Sequence, residues 1–309
     1  MMIPSALTAE ARDVPVCGTG FPVKYRTIAI DGIRMFYREA GPHDAPVIVL
    51  LHGFPSSSRM FATLLPLLAN EFHVIAPDYP GFGYSDAPLP ERFEYTFDHL
   101  ARCVGHFIDA LGIARYALYV QDYGGPIGFR IAAAGPERMT ALIVQNAVIH
   151  VEGLSGAWDV RKAFWKNRAM HEAALRESLL SVDVARQRHL AGVTDPENID
   201  PGTWTDEFAF LTKPGMDRIQ LELMFDYRTN VESYPRWQAY LRDYRPPTLV
   251  VWGKHDPLFT VAGAQAFGRE VPDAEIHFLD AGHFALDEKV DTVAALMRRF
   301  LFACRMTRN

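Results

Sequence analysis

At 309 residues the chain exceeds one average domain but fits a large α/β domain carrying an insertion. Hydrophobic residues make up 49% and aromatics 12%, ample for a sizeable core; a net charge of −6 without any basic cluster excludes a nucleic-acid or membrane-surface footprint. Three scattered cysteines, Cys17, Cys103 and Cys304, form no C-x-x-C pair and exclude a disulfide framework or a zinc site.

The first residues, MMIPSALTAEARDVPVCGTGF, lack a basic start followed by a sustained apolar segment. No run of about 18 apolar residues occurs anywhere, so no membrane span is expected and a cytoplasmic protein is the default. Residues 1–25 read as irregular. Asp31-Gly32 lies between two strand-like runs, 27–30 and 33–39, and predicts a hairpin. PVIVLL (46–51) is an unbroken apolar run, as expected of a strand covered on both faces. It leads into His52-Gly53-Phe54-Pro55 and a helix over 59–69. A strand at 72–76 precedes PDYPGFGYSD (77–86), and the spacing of Leu100, Val104, Phe107, Ile108 and Leu111 predicts a helix over 96–111 ended by Gly112.

YALYVQDYGGPIG (116–128) reads as a buried strand, a turn of small residues and a helix opened near Pro126. That is the layout of a nucleophile elbow, with Asp122 at the apex where Ser is usual. The same stretch also fits an Asp that merely caps the next helix. ALIVQNA (141–147) is a sixth strand. From about Val151 to Tyr244 the strand runs vanish, and Pro196, Pro201, Pro214 and Pro235 punctuate four or five helices. TLVVW (248–252) and 275–279 return to strands, and 285–302 forms a last helix. Strands alternating with helices imply a mostly parallel, doubly wound, eight-stranded sheet. Residues 1–150 and 246–309 form its core domain, and 151–245 a helical cap over the sheet edge where such folds bind ligands.

WGKHDP (252–257) sets Asp256 just beyond a strand, and DAGHF (280–284) does the same for His283. Each alone also fits an ordinary loop residue. Together with Asp122 they stand in the order nucleophile, acid, histidine.

On HGFP (52–55), DYPGFGYSD (78–86), QDYGG (121–125), WGKHDP (252–257) and AGHF (281–284), the chain resembles the α/β-hydrolase superfamily from about residue 27 to 302. The likeness is closest to its epoxide hydrolase and haloalkane dehalogenase branch, whose nucleophile is Asp. It implies attack by Asp122 at a saturated carbon to give an alkyl ester, then ester hydrolysis by water activated by His283 and oriented through Asp256. It further implies an oxyanion hole from the backbone N–H groups of Phe54 and Tyr123, and a cis Pro55. At this branch's alternative acid position stands Asn146, an amide that cannot serve. No metal or organic cofactor is implied; water is the second substrate.

Halide expulsion needs donors around the departing ion. Haloalkane dehalogenases usually carry Trp after the nucleophile and Asn in HGxP, where this chain has Tyr123 and Phe54; Trp158, Trp165, Trp204 and Trp237 remain as donors. Epoxide opening needs an acid instead. DYRTN (226–230) resembles the segment that supplies a phenol in epoxide hydrolases and makes Tyr227 the candidate. Residues 151–203 offer no second Tyr, which leaves Tyr234 or His171. Fluoroacetate-type dehalogenases place Arg beside the nucleophile, and Tyr123 and Ile127 there disfavour that reading. A non-catalytic binding protein on the same fold is the remaining alternative. Phe54, Tyr79, Phe82, Trp165 and Phe225 are candidate lining residues and, with Tyr234, predict a small apolar substrate. The chain is expected to be a monomer or homodimer.

Overall fold

The computed structural model describes residues 20–306. Strands β1 (Lys24–Ile30) and β2 (Ile33–Ala40) form a hairpin, with Asp31 and Gly32 both at positive φ (51° and 80°) in the turn. Asp and Gly are among the few residues that adopt this conformation cheaply, so the turn chemistry sets the register. The other strands are β3 (Val47–Leu51), β4 (His73–Pro77), β5 (Tyr116–Gln121), β6 (Met139–Gln145), β7 (Thr248–Gly253) and β8 (Glu275–Leu279). They complete an eight-stranded sheet in the order β1-β2-β4-β3-β5-β6-β7-β8. The β1–β2 and β2–β4 pairs are antiparallel and all others parallel.

The unbroken apolar runs have a direct cause. Val49 and Leu51 face one layer of helices, while Ile48 and Leu50 face the other. Helix α1 (Leu64–Leu68) supplies Leu64, Leu65 and Leu68 to one side. Helices α2 (Phe97–Ala110) and α3 (Gly124–Ala134) supply Leu100, Val104, Phe107, Ile127 and Ile131 to the other. Chain order reverses between β3 and β5, and this opens a crevice at their C-terminal ends.

Between β6 and β7 six α-helices are inserted: α4 (Asp159–Lys166), α5 (Arg168–Leu179), α6 (Val182–Leu190), α7 (Gly202–Leu211), α8 (Met216–Asp226) and α9 (Arg228–Tyr244). Polar bonds tie this insertion to the sheet's loops. Asp226 Oδ2 accepts from the Phe97 N–H at 2.8 Å, and Gln220 Nε2 donates to the Gly81 carbonyl at 3.0 Å. Arg130 Nη1 donates to Asn230 Oδ1 at 2.7 Å, and Gln238 Nε2 to the Ile149 carbonyl at 2.6 Å. Helices α10 (Val261–Glu270) and α11 (Ala285–Met306) complete the fold, α11 being broken at Lys289 (φ −134°).

Several local expectations are corrected. The helix expected over 59–69 is a 3-10 turn at Ser58–Phe61 followed by the separate α1. Pro235 lies inside α9 and does not divide two helices. α10 was not anticipated, because Gly263 and Gly268 dilute its pattern. The irregular segment ends by Lys24, where β1 already begins. Cys103 is buried in α2, and Cys17 lies outside the described residues. Among the described residues no helix is long and apolar enough to cross a membrane.

Candidate active site

β5 runs into Asp122 at φ +47°, a left-handed conformation that turns the side chain out above the end of the sheet before α3 begins. The turn can be this tight because Gly124 approaches β3: a Cβ there would lie 2.2 Å from the Leu51 carbonyl oxygen. Gly53 is similarly enclosed, since a Cβ would meet the Gln121 amide at 2.2 Å and Asp122 Cβ at 2.4 Å. That closeness lets the loop after β3 aim its backbone at Asp122. The Phe54 N–H donates to Asp122 Oδ1 at 2.7 Å, and the Tyr123 N–H bonds to the same carboxylate. The Phe54–Pro55 peptide is cis. Beneath the loop His52 stacks on Tyr79 at 4.0 Å, and burial lowers its pKa to about 3, so it stays neutral.

His283, from the loop after β8, faces Asp122 with Nε2 3.8 Å from Oδ2. Its Nδ1 is 2.7 Å from Asp256 Oδ2, beyond the end of β7. Asp256 is itself fixed, with Oδ1 accepting from the Leu258 N–H at 2.7 Å and Oδ2 from Asn146 Nδ2 at 2.8 Å. Burial pushes the Asp122 carboxyl up, against the downward pull of His283 and of the two N–H bonds. Burial opposes the His283 imidazolium, yet the adjacent Asp256 and Asp122 charges leave its pKa raised overall. A carboxylate in an N–H cradle beside a carboxylate-held imidazole has what covalent catalysis followed by base-assisted hydrolysis requires.

Sequence reasoning overlooked two residues here. Asn146, considered only as an acid that could not function, sits at φ +40° and brackets Gly253: its Oδ1 accepts from the Gly253 N–H at 2.9 Å and its Nδ2 donates to the Gly253 carbonyl at 3.2 Å. The same Nδ2 holds Asp256. Gln121 Nε2 lies 2.9 Å from His283 Nε2, and no sequence signal distinguished it.

A cavity of about 230 Å³ opens over Asp122 and His283. Phe54, Tyr123, Trp158, Leu258 and Phe284 give it an apolar lining, interrupted by Arg161, Gln187 and Arg188.

A family model described as alpha/beta hydrolase fold matches residues 46–290. An uncharacterized hydrolase of Saccharomyces cerevisiae is 41% identical over 269 residues, covering 85% of this chain and 92% of its own. A haloalkane dehalogenase of Psychrobacter cryohalolentis is 37% identical over 283 residues, covering 87% and 88%. The chain is an α/β-hydrolase. Among solved structures of this fold, a reconstructed ancestral haloalkane dehalogenase superposes with a TM-score of 0.75 at 25% identity, covering 91% of this chain and 99% of that one. The epoxide hydrolase CorEH does so with the same TM-score at 21% identity over 91% and 99%, which shows shared fold. The chain thus falls in the haloalkane dehalogenase and epoxide hydrolase branch of the α/β-hydrolases.

Other residues singled out from this α/β-hydrolase's sequence take varied positions. Tyr227 is buried against Trp158 (4.5 Å between ring centroids) and Tyr123 (5.7 Å). Burial raises its pKa well above the ordinary phenol value, and the Tyr234 phenol and Asp122 charge add to the rise. Tyr234 is raised by burial as well, interacts with the Tyr227 phenol, and also feels the charge of Asp122. Tyr227 and Tyr234 lie behind the cavity wall and not among the residues that line it, and the same holds for Trp165 and Phe225. Trp165 lies parallel to Tyr227 at 6.1 Å and donates Nε1–H to the Met224 carbonyl at 2.8 Å, while Phe225 packs on Phe164 and under Arg228. Tyr79 and Phe82 are core residues beneath His52, and His171 is not at the cavity. Trp158 is the tryptophan that lines it, and its Nε1–H is already donated to the Leu258 carbonyl at 3.1 Å. Away from this site, Glu39, His43 and His73 hold potential metal-ligand atoms within 4.8 Å of one another, but Glu39 is already ion-paired with Arg26 at 2.6 Å.

Proposed function

We propose that this hydrolase opens epoxides to vicinal diols through a covalent ester on Asp122, with the helical insertion serving as the cap over the reaction. Asp122 Oδ2, the oxygen left outside the Phe54 N–H bond, attacks a ring carbon. The carbon–oxygen bond breaks, and the ring oxygen takes a proton from Tyr227. His283 then removes a proton from water as the water adds to Asp122 Cγ. The charge developing on Oδ1 falls within the Phe54 and Tyr123 N–H groups. Collapse of this intermediate releases the diol: its departing oxygen takes the proton held at His283, and the proton left on the re-formed Asp122 carboxyl passes to the Tyr227 phenolate. One water and one epoxide are consumed, and no cofactor takes part.

One observation favours this over halide expulsion. The tryptophan at the cavity has given its N–H to a backbone carbonyl, whereas two buried phenols lie within the field of Asp122. The second reading, haloalkane dehalogenase, draws support from the relative of that name at 37% identity, and Arg188 offers a departing halide an unengaged N–H.

The test is a mass measurement on His283→Gln, in which the ester should accumulate. Styrene oxide should add its whole mass to the protein, and prior Asp122→Ala substitution should abolish the increase. Adduct formation from a bromoalkane alone, with bromide release by the wild type and no diol from any epoxide, would transfer the assignment to dehalogenation.

A further inference from the structure

Among the described residues, two cationic side chains at the cavity have no ion-pair or hydrogen-bond partner. Arg161 on α4 and Arg188 on α6 both line it. Arg188 Nη1 is shielded from solvent and has no hydrogen-bond partner among the described residues. Neither guanidinium forms an ion pair or hydrogen bond there, and what each has is a ring: Arg188 lies over Phe54 at 5.2 Å and Arg161 over Trp158 at 4.9 Å. Several other arginines of the insertion are ion-paired, among them Arg168 with Glu222 and Glu172, Arg176 with Asp217, and Arg242 with Glu270, whereas Arg186 and Arg236, which do not line the cavity, have no ion pair among the described residues.

An unpartnered, desolvated guanidinium is costly, and a second one nearby adds repulsion. The effect is visible in Arg188, whose pKa burial lowers to about 10; Glu207 and Asp122 oppose the fall and Arg161 adds to it. Glu207 cannot act as full counter-ion, since its Oε2 is bonded to His189 at 2.8 Å. Asp122 provides negative charge only until it is alkylated. In the ester that carboxylate charge is gone from the cavity wall, having passed to the Tyr227 phenolate, which is not among the residues lining the cavity.

We propose that the substrate carries a carboxylate, bound by the guanidinium of Arg188 with Arg161 beside it, while the electrophilic carbon lies at Asp122. A carboxylate accepts two parallel N–H bonds from one guanidinium and relieves the repulsion between the two. It also remains charged when Asp122 does not. This inference rests on the reading that Asp122 attacks the substrate at carbon and becomes alkylated, and it replaces the expectation of an apolar substrate. The guanidinium groups come from the cap, not from beside the nucleophile, so positions 123 and 127 gave no sign of them.

The experiment compares 3-phenylglycidate with its neutral amide, 3-phenylglycidamide. The wild type should favour the carboxylate in kcat/KM by at least tenfold. Arg188→Gln should lower that ratio at least tenfold, mainly through KM, and Arg188→Lys should restore part of it. A second arm needs no turnover: calorimetry with the unreactive pair 3-phenylpropanoate and 3-phenylpropanamide. Tighter carboxylate binding by the wild type, lost in Arg188→Gln, upholds the anion site even if neither epoxide is opened, and in that case only the epoxide reading fails. Equal binding of acid and amide by the wild type, or a turnover ratio that Arg188→Gln leaves unchanged, overturns the proposal.

Discussion

His189 and Asp287 join the inserted helices to the core, with Nδ1 of the imidazole 3.0 Å from the carboxylate Oδ2. The other ring nitrogen, Nε2, is 2.8 Å from Glu207 Oε2, so one histidine links α6, α7 and α11. Its ring stacks on Phe284 at 4.1 Å, the neighbour of His283. Burial pushes the His189 pKa down, but the two carboxylates push harder, and the net result is a rise to about 9. A raised histidine pKa adds stability that is complete below the unfolded value of about 6.5 and is lost as pH climbs through the folded one. The size is on the order of 3 kcal/mol. Denaturant unfolding at pH 6.5 and pH 9.5 should therefore show a loss of stability in the wild type that is much smaller in His189→Gln. An equal loss in both proteins would remove His189 from the account.

Asn146 provides a second prediction. Its amide donates to the oxygen of Asp256 that also faces His283, so Asn146→Asp would replace a donor with a second carboxylate at the same spot. Asp tolerates the positive φ that this position imposes, which spares the backbone. The added charge stabilises the imidazolium and raises the His283 pKa further, leaving less neutral base at pH 7. Ester hydrolysis should slow by about tenfold at neutral pH and recover as pH rises, with alkylation of Asp122 affected much less. Single-turnover kinetics across pH separates the two steps. An unshifted profile would mean that Asn146 only spaces the loop.

Much of the architecture is legible in the sequence because its signals are local. Buried parallel strands are short apolar runs, their ends carry turn residues, and a parallel sheet brings those ends to one edge. Asp122, Asp256 and His283 meet for that reason. What cannot be read is which polar groups in the insertion end without partners. Arg168 and Arg188 look alike along the chain, yet Arg168 reaches Glu222, 54 residues away, and Arg188 pairs with no carboxylate among the described residues. Trp158 and Trp165 likewise looked available as halide donors until their carbonyl partners, Leu258 and Met224, were placed by the fold. The part Asn146 plays in holding the loop was missed because its side chain acts through Gly253 and Asp256, more than 100 positions on.

The last prediction concerns the phenols. A proton is needed when the leaving oxygen stays attached to the product and develops alkoxide character; a departing bromide needs none. Burial keeps both Tyr227 and Tyr234 protonated through the neutral range, as a donor must be. Tyr227→Phe removes one oxygen and retains a ring that touches Trp158, Tyr123 and Phe97, so packing should survive. Loss of a general acid typically costs about a hundredfold or more in rate. Tyr227→Phe should accordingly alkylate Asp122 with epoxide at least about a hundredfold more slowly. Tyr234→Phe should cost less, because its hydroxyl acts through that of Tyr227. If the pair works as one donor, the double variant should be no slower than Tyr227→Phe. Rapid-quench measurement of ester formation reads all three. Full epoxide activity in Tyr227→Phe would move the stabilisation of the ring oxygen to hydrogen-bond donors on the cavity wall itself, where Arg161, Gln187 and Arg188 carry N–H groups.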